Sequence, residues 1–415
     1  MASIEDDGRA AGEAGNREVA AAARPPLAQP AEVQPLPAEA QPLPAPAPRW
    51  LAAAALRLRR ALRAAADLVV PAPVALFEQI GGYMQTHLLR AAARLRLADL
   101  LDAGPATPEE LAARTGVPAE GLRRLLRGLS TLGVFARRRD GRYRNNRLSR
   151  ALRSGAAVSL RDGALYFGSA SQLRAWDELE RVLGEGAGGI EGAGGGGGGG
   201  GFERAHGVTT WEWFERHAEE RAAFAGTMVA MTRLYAPGVA TAYPFGEVRR
   251  LCDVGGGHGD LLAEVLLRHA HLAAVLLDAE SVLATARPFL AARGVLSRVE
   301  LLAGSFFDSV PAGCDAYLLK NVLHDWDDLR AARILANCRR AMRPGHRLLV
   351  VEAVVEESTT REIGPLSDLQ MMIVCSGGRE RGRAEYARLF ERTGFRLRRG
   401  VPTPGPMSVI EGIAV

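Results

Sequence analysis

The segment Leu251-Cys-Asp-Val-Gly-Gly-Gly-His-Gly-Asp260 constrains this chain more than any other. An apolar run enters a turn with glycines at 255, 257 and 259, as a strand does where an open α/β sheet holds a nucleoside cofactor. A dinucleotide's pyrophosphate requires the G-x-G-x-x-G turn and a helix N-terminus. Here Asp260 stands where that third glycine would fall, and the G-x-G-x-G turn suits a smaller headgroup, such as the amino-acid end of S-adenosylmethionine. From about residue 245 the pattern alternates between strands and helices, the mark of a doubly wound parallel sheet. Strands are expected at 250–254, 273–278, 298–303, 315–319 and 347–352, with a closing pair at 395–399 and 408–413.

Chemistry-bearing residues gather at the ends of these strands. Asp278 closes the second, 21 residues after Gly257, where a carboxylate can accept hydrogen bonds from ribose hydroxyls or cap a helix. Ser305 and Phe306 follow the third, where an adenine ring would lie; Phe306 reads as one wall of that slot or as a core aromatic. His324 comes 64 residues after Asp260, just past the fourth strand, and Glu352 closes the fifth. Parallel neighbours end on one edge, so both can face one crevice. A carboxylate on one imidazole nitrogen fixes the tautomer and leaves the other nitrogen as a base. Asp325 can assist His324 or, with Asp327 and Asp328, serve the next helix N-terminus. His258 reads as a loop residue and His206 has no assigned role. Lys320 stands out for a separate reason. Of the 52 basic residues 51 are Arg, and Lys320 is the single Lys. In a chain so depleted in lysine, the survivor is expected where a compact ammonium is needed and a planar guanidinium would not fit.

Upstream, residues 1–49 hold nine of the 23 prolines and too little bulky apolar surface to offset their ordering entropy, so disorder is expected there. Residues 184–201, with 13 glycines in 18 positions, read as a flexible insertion within connecting helices at 171–244. Residues 50–170 read as helices with a wing: a long helix from Phe77 through Leu88, Leu89, Leu95 and Leu100, then a Thr107-capped helix with Pro108 at its first position. A further helix follows at helix-turn-helix spacing, and a hairpin spans 134–144 around Asp140-Gly141. The net charge of +5 and Arg123, Arg124, Arg137, Arg138, Arg139, Arg142 and Arg144 on this unit allow a DNA-binding reading. A dimerisation module is preferred, because arginine is abundant throughout and fold alone does not assign function. The four cysteines lie at least 24 residues apart and read as free thiols. No run of 18 apolar residues occurs, and Glu5, Asp6 and Asp7 argue against a secretory leader, so a cytoplasmic protein without a membrane partner is expected.

From about residue 75 onward the chain resembles the small-molecule O-methyltransferases that include plant caffeate and flavonoid enzymes, acetylserotonin methyltransferase and bacterial polyketide-tailoring enzymes. The resemblance is carried by D-V-G-G-G-H-G at 253–259, L-L-K-N-V-L-H-D-W at 318–326, V-E at 351–352, D-L-Q-M-M at 368–372, G-G-R-E-R at 377–381 and S-V-I-E at 408–411. It implies a Rossmann-like methyltransferase domain over 245–415, preceded by an α-helical winged-helix dimerisation domain over 50–170. It further implies a homodimer with S-adenosyl-L-methionine as cofactor. The family's catalytic histidine falls on His324, its two orienting glutamates on Glu352 and Glu380, and its cofactor lysine on Lys320; Asp253, Gly255 and Gly257 fall in its cofactor turn. The implied reaction is methyl transfer to a phenolic hydroxyl of a small aromatic or polyketide-like metabolite, with His324 as general base. No metal-ligand cluster is read, and no nucleic-acid partner is expected. Met228, Met231, Phe167, Trp176, Met371 and Met372 are candidate acceptor walls, with Asp325 beside them. The chain departs from the family at Gly304-Ser305, where many members have Gly-Asp, and at Glu380-Arg381-Gly382, where Glu-Arg-Thr is usual. Two other readings are a DNA-binding regulator that senses the cofactor, and a member that hydroxylates or decarboxylates. Intact His324, Glu352 and Glu380 argue against the latter.

Overall fold

The computed structural model describes residue 43 and residues 45–184, 199–358 and 363–415. Apart from residues 43 and 45–49, the expected disordered segment 1–49 lies outside the described residues, as does most of the expected glycine-rich insertion. The strands are β1 (Phe135–Arg137), β2 (Tyr143–Asn145), β3 (Arg250–Val254), β4 (Ala273–Asp278), β5 (Val299–Ala303), β6 (Ala316–Lys320), β7 (Arg347–Ala353), β8 (Phe395–Pro402) and β9 (Met407–Ala414). β1 and β2 form the wing hairpin, and the other seven form one sheet in the order β5-β4-β3-β6-β7-β9-β8. β3 to β7 are parallel; β9 runs antiparallel to β7, and β8 antiparallel to β9.

A parallel sheet buries both faces, which is why its strands read as nearly unbroken apolar runs. One face is covered by Leu261, Leu262, Val265 and Leu266 from helix Asp260–Arg268 and by Phe289 and Leu290 from helix Glu280–Ala292. The other carries Ile334, Leu335 and Cys338 from helix Asp328–Ala341, and Tyr386, Leu389 and Phe390 from helix Arg383–Arg392. Each fully buried side chain of this kind contributes ~1.5–3 kcal/mol relative to exposure.

Winding starts at β3 and proceeds through β4 to β5 on one side, then reverses to β6 and β7 on the other. That reversal leaves a crevice at the carboxyl ends of β3 and β6. Asp253 pairs in register with Leu276 of β4 and Leu318 of β6, and Lys320 pairs with Val351 of β7. Asp278, the 255–259 turn, Lys320 and Glu352 therefore lie along one edge.

The amino-terminal unit is helical, but the long helix expected from Phe77 to Leu100 is divided. It runs as Ala72–Ile80, Gly82–Arg94 and Leu97–Leu100. The first break falls at the Gly81-Gly82 pair, and the second at Arg96, whose φ of 52° is left-handed and cannot continue a helix. Helix Pro108–Thr115 opens with the expected Thr107 cap, reinforced by Glu110 reaching back to the Thr107 N–H. Helix Ala119–Thr131 follows, and its Leu122, Leu126 and Leu129 join Leu97, Leu111, Phe135 and Tyr143 in a separate core. Helix Ala218–Ala242 links the two units, packing on helix Arg161–Phe167 and on helix Asp260–Arg268. Among the described residues no helix is long and apolar enough to cross a membrane.

Candidate active site

The glycine turn is built from left-handed backbone: φ is 69° at Gly255, 62° at Gly257 and 84° at Gly259, a region that side-chain-bearing residues avoid. Asp278 holds this turn, accepting from the Gly257 N–H at 2.8 Å and from the Ala279 N–H at 2.7 Å. Each carboxylate oxygen keeps a further lone pair for a ligand hydroxyl. A Cβ placed on Gly257 would meet nothing within 4 Å, so space is open there, whereas one on Gly255 would lie 3.2 Å from the Phe306 ring. Phe306 thus packs against the turn, while Ser305 is exposed and its hydroxyl accepts from the Phe307 N–H at 3.2 Å.

Asp253 lies buried beneath the turn, and its Oδ1 has no hydrogen-bond partner among the described residues. Burial, then the nearby Asp278 carboxylate, push its pKa up to about 7, against the pull of Lys320. An orphaned buried acceptor is costly, so a ligand donor there would be well received. Asp260, which replaces the third glycine, accepts from Arg233 Nε at 2.7 Å and pairs with His258 Nδ1 at 2.9 Å. His258 and Arg233 together tie the turn to helix Ala218–Ala242. Lys320 reaches the same helix, donating to Thr232 Oγ1 at 2.7 Å. Burial draws its pKa down to about 8, a fall limited by Asp253, Asp260 and Asp325.

His324 sits on a short 3₁₀ turn, Leu323–Asp325, directly beyond β6. Its Nδ1 lies 3.0 Å from Glu380 Oε1, and its Nε2 lies 3.5 Å from Asp325 Oδ1. Burial pulls the imidazole pKa down, but Asp325, then Glu380 and Glu352, outweigh it and push the value up to about 9. Glu380 is fixed in turn by the Ser367 hydroxyl at 2.7 Å, and its backbone N–H donates to Asp368 at 2.8 Å. Glu352 differs from expectation. Its Oε1 accepts from the backbone N–H groups of Val322, Leu323 and His324 at 3.1, 2.7 and 3.2 Å, and its Oε2 accepts from the Tyr386 hydroxyl. It therefore orients the turn that carries His324 and not the ring, because its strand ends beneath the turn's N–H groups.

The buried Cys375 thiol donates to Asp325 Oδ1 at 3.6 Å. Burial, then the charges of Cys375, Asp325 and Glu220, raise the Tyr166 pKa. Tyr166, Phe167, Trp211, Phe214 and Phe224 form a connected set of ring contacts that reaches Trp326 through Trp211, at 6.2 Å between centroids. Met371 and Met372 pack against Ala175, Phe202 and Ile373, and Trp176 donates to Gln370 at 2.9 Å; Met228 and Met231 are half-buried on helix Ala218–Ala242. Gly382 has a steric reason. A Cβ there would stand 3.0 Å from Glu356 Oε2 and 3.2 Å from the Val355 carbonyl, a tight place for the usual threonine. Sequence reasoning passed over Thr232, Arg233, Ser367 and Tyr386, which meet the site from 13 to 88 residues away and belong to no local pattern.

Residues 192–396 match the model of the O-methyltransferase domain, and residues 77–155 that of the O-methyltransferase dimerisation domain. The chain is 37% identical over 344 residues to a phenazine O-methyltransferase of Lysobacter antibioticus, covering 82% of this chain and 96% of that protein. It is 35% identical to the 8-amino-8-demethylriboflavin N,N-dimethyltransferase of Streptomyces davaonensis, over 78% of this chain and 90% of the relative. Among solved structures, an O-methyltransferase from neocarzinostatin biosynthesis, in complex with S-adenosylmethionine and 2-hydroxy-5-methyl naphthoic acid, superposes with a TM-score of 0.63. The two share 32% identity over 80% of this chain and 96% of that one. The left-handed glycine cradle and the orphaned Asp253 Oδ1 fit the amino-acid end of that cofactor. With both family models matching and relatives sharing more than 30% identity over most of its length, the chain belongs to the S-adenosylmethionine-dependent O-methyltransferase family of natural-product biosynthesis.

Proposed function

We propose that this enzyme methylates a hydroxyl of a small aromatic metabolite, and that His324 takes the hydroxyl proton. The observation that carries the reading is the His324–Glu380 pair at 3.0 Å, in which Nδ1 meets the carboxylate while Nε2 lies 3.5 Å from Asp325 Oδ1. S-adenosylmethionine supplies a methyl group on a positively charged sulfur. Asp253, Gly255, Gly257, Asp278, Ser305, Phe306 and Lys320 would hold it. A phenol ionises near pH ~10, so at neutral pH it needs a base as it attacks. An imidazole raised to about 9 is mostly protonated at neutral pH, so its unprotonated fraction, which grows as pH rises, takes that proton. Such a base typically contributes a factor of ~10² to 10⁴. Holding the reacting atoms in line supplies ~7–11 kcal/mol, so positioning outweighs base catalysis.

A hydroxyl is favoured over an amine because an amine attacks through its own lone pair and needs no base beforehand. The buried histidine–carboxylate pair would be idle in that reaction. Met228, Met371, Met372, Phe167 and Asp325 are retained as acceptor contacts, with Tyr166 added to the wall. The helical unit is read as pairing two subunits in a cytoplasmic homodimer, and not as binding nucleic acid. Supporting this, Arg123 is paired with Glu109 and Glu120, Arg142 with Glu110, and Arg138 with Asp140. Mass spectrometry with methyl-labelled cofactor over a panel of phenols, hydroxynaphthoates and aryl amines tests the reading. Label on phenolic oxygen is expected; label only on aryl nitrogen would overturn it.

A further inference from the structure

Arg381 is the bulkiest of the fully buried side chains among the described residues. A guanidinium without water must place its N–H groups on protein acceptors. Its Nη1 donates to the Leu323 carbonyl at 2.9 Å, and its Nη2 to the Trp326 carbonyl at 2.8 Å. Its Nε and Nη2 both donate to Asp328 Oδ1, at 2.9 and 2.8 Å. Leu323 and Trp326 bracket His324, and the His324 carbonyl itself accepts from the Arg379 N–H at 2.8 Å. From the opposite side, Glu352 takes the N–H groups of residues 322–324. The turn is thus gripped by its donors from β7 and by its acceptors from the 379–381 segment. It needs that grip, because Asn321 at its entrance has a left-handed φ of 53°, a conformation that persists only where its surroundings over-determine it.

We propose that Arg381 is a positioning residue for methyl transfer: its guanidinium fixes the place of the His324 ring by holding the carbonyls on either side of it. This rests on the reading of His324 as the base. Adjacent residues divide the work, with Glu380 on the ring and Arg381 on the backbone that carries it. A lysine could keep the charge but not the planar fork that reaches Leu323, Trp326 and Asp328 together.

The test is Arg381→Lys in the full-length enzyme, with Asp328→Asn as the milder variant should the first fail to fold. A misplacement of about 1 Å costs on the order of 10²-fold in rate, so kcat is expected to fall ~10- to 100-fold. Acceptor KM and S-adenosylmethionine affinity should stay near native, and the alkaline rise of activity should keep its midpoint, since Glu380 and Asp325 are untouched. Asp328→Asn should show the same pattern, smaller. On a His324→Ala background, assayed with an acidic phenol, Arg381→Lys should add no further loss. A native kcat with a lowered Tm would reduce Arg381 to a structural role. A displaced pH midpoint, or an undiminished loss on the His324→Ala background, would also overturn the proposal. Native turnover in His324→Ala alone would instead remove the general-base reading, and is told apart because Arg381 is intact there.

Discussion

At the scale of single residues, the site is a set of charges that burial would neutralise and neighbours keep in place. His324 illustrates the balance: two carboxylates at 3.0 and 3.5 Å overcome desolvation and raise its pKa to about 9. A base must be unprotonated to act, so activity is expected to rise with pH through a midpoint near 9. Glu380→Gln removes one of the groups that raise this pKa, while burial still lowers it. The rise should therefore move to lower pH, with a lower plateau because the ring loses its orienting acceptor. A pH–kcat/KM profile with an unmoved midpoint would show that Glu380 does not govern the imidazole. His324, Glu352, Glu380 and Lys320 were legible in the sequence through strand-end position, motif resemblance and lysine scarcity. What Glu352 holds was not legible. Whether a carboxylate meets a ring or three backbone N–H groups depends on where the turn crosses its strand, and spacing does not carry that.

Among the elements, the parallel strands were the most legible, because burial on both faces writes a continuous apolar run at each. The Thr107 cap was legible for a similar reason, since Thr107-Pro108 and Glu110 sit at fixed offsets and their chemistry is local. Of the two breaks in the Phe77–Leu100 stretch, the first is marked by Gly81-Gly82, but the second was not legible, because the left-handed Arg96 makes it without a glycine or proline. The short helices that result expose Phe77, Ile80 and Tyr83, at 75%, 64% and 65% of their surface. Phe77 and Ile80, three apart on helix Ala72–Ile80, share one exposed apolar face at the start of the matched dimerisation segment, and exposed apolar patches mark interaction sites. Phe77→Asp combined with Ile80→Asp is expected to convert a dimer into a monomer, read by light scattering at micromolar concentration. A persistent dimer would place the subunit contact elsewhere.

Across the whole molecule, a sheet reversal between β3 and β6 opens the crevice, and the helix Ala218–Ala242 closes its cofactor side through Thr232 and Arg233. Trp211, on the helix just before it, meets Trp326 beside the His324 turn, at 6.2 Å between ring centroids. The glycine turn, His324 and the aromatic ring set thus come from segments spread over more than 200 residues. We propose that His324 removes the acceptor proton within the crevice. Single-turnover methylation by His324→Ala, compared with the native enzyme across phenols of decreasing pKa, tests this most directly. Turnover is expected to fall by ~10² to 10⁴ on an ordinary phenol and to recover in part on acidic ones, with S-adenosylmethionine affinity nearly unchanged. Near-native turnover on an ordinary phenol, or an equal loss on every phenol, would contradict it.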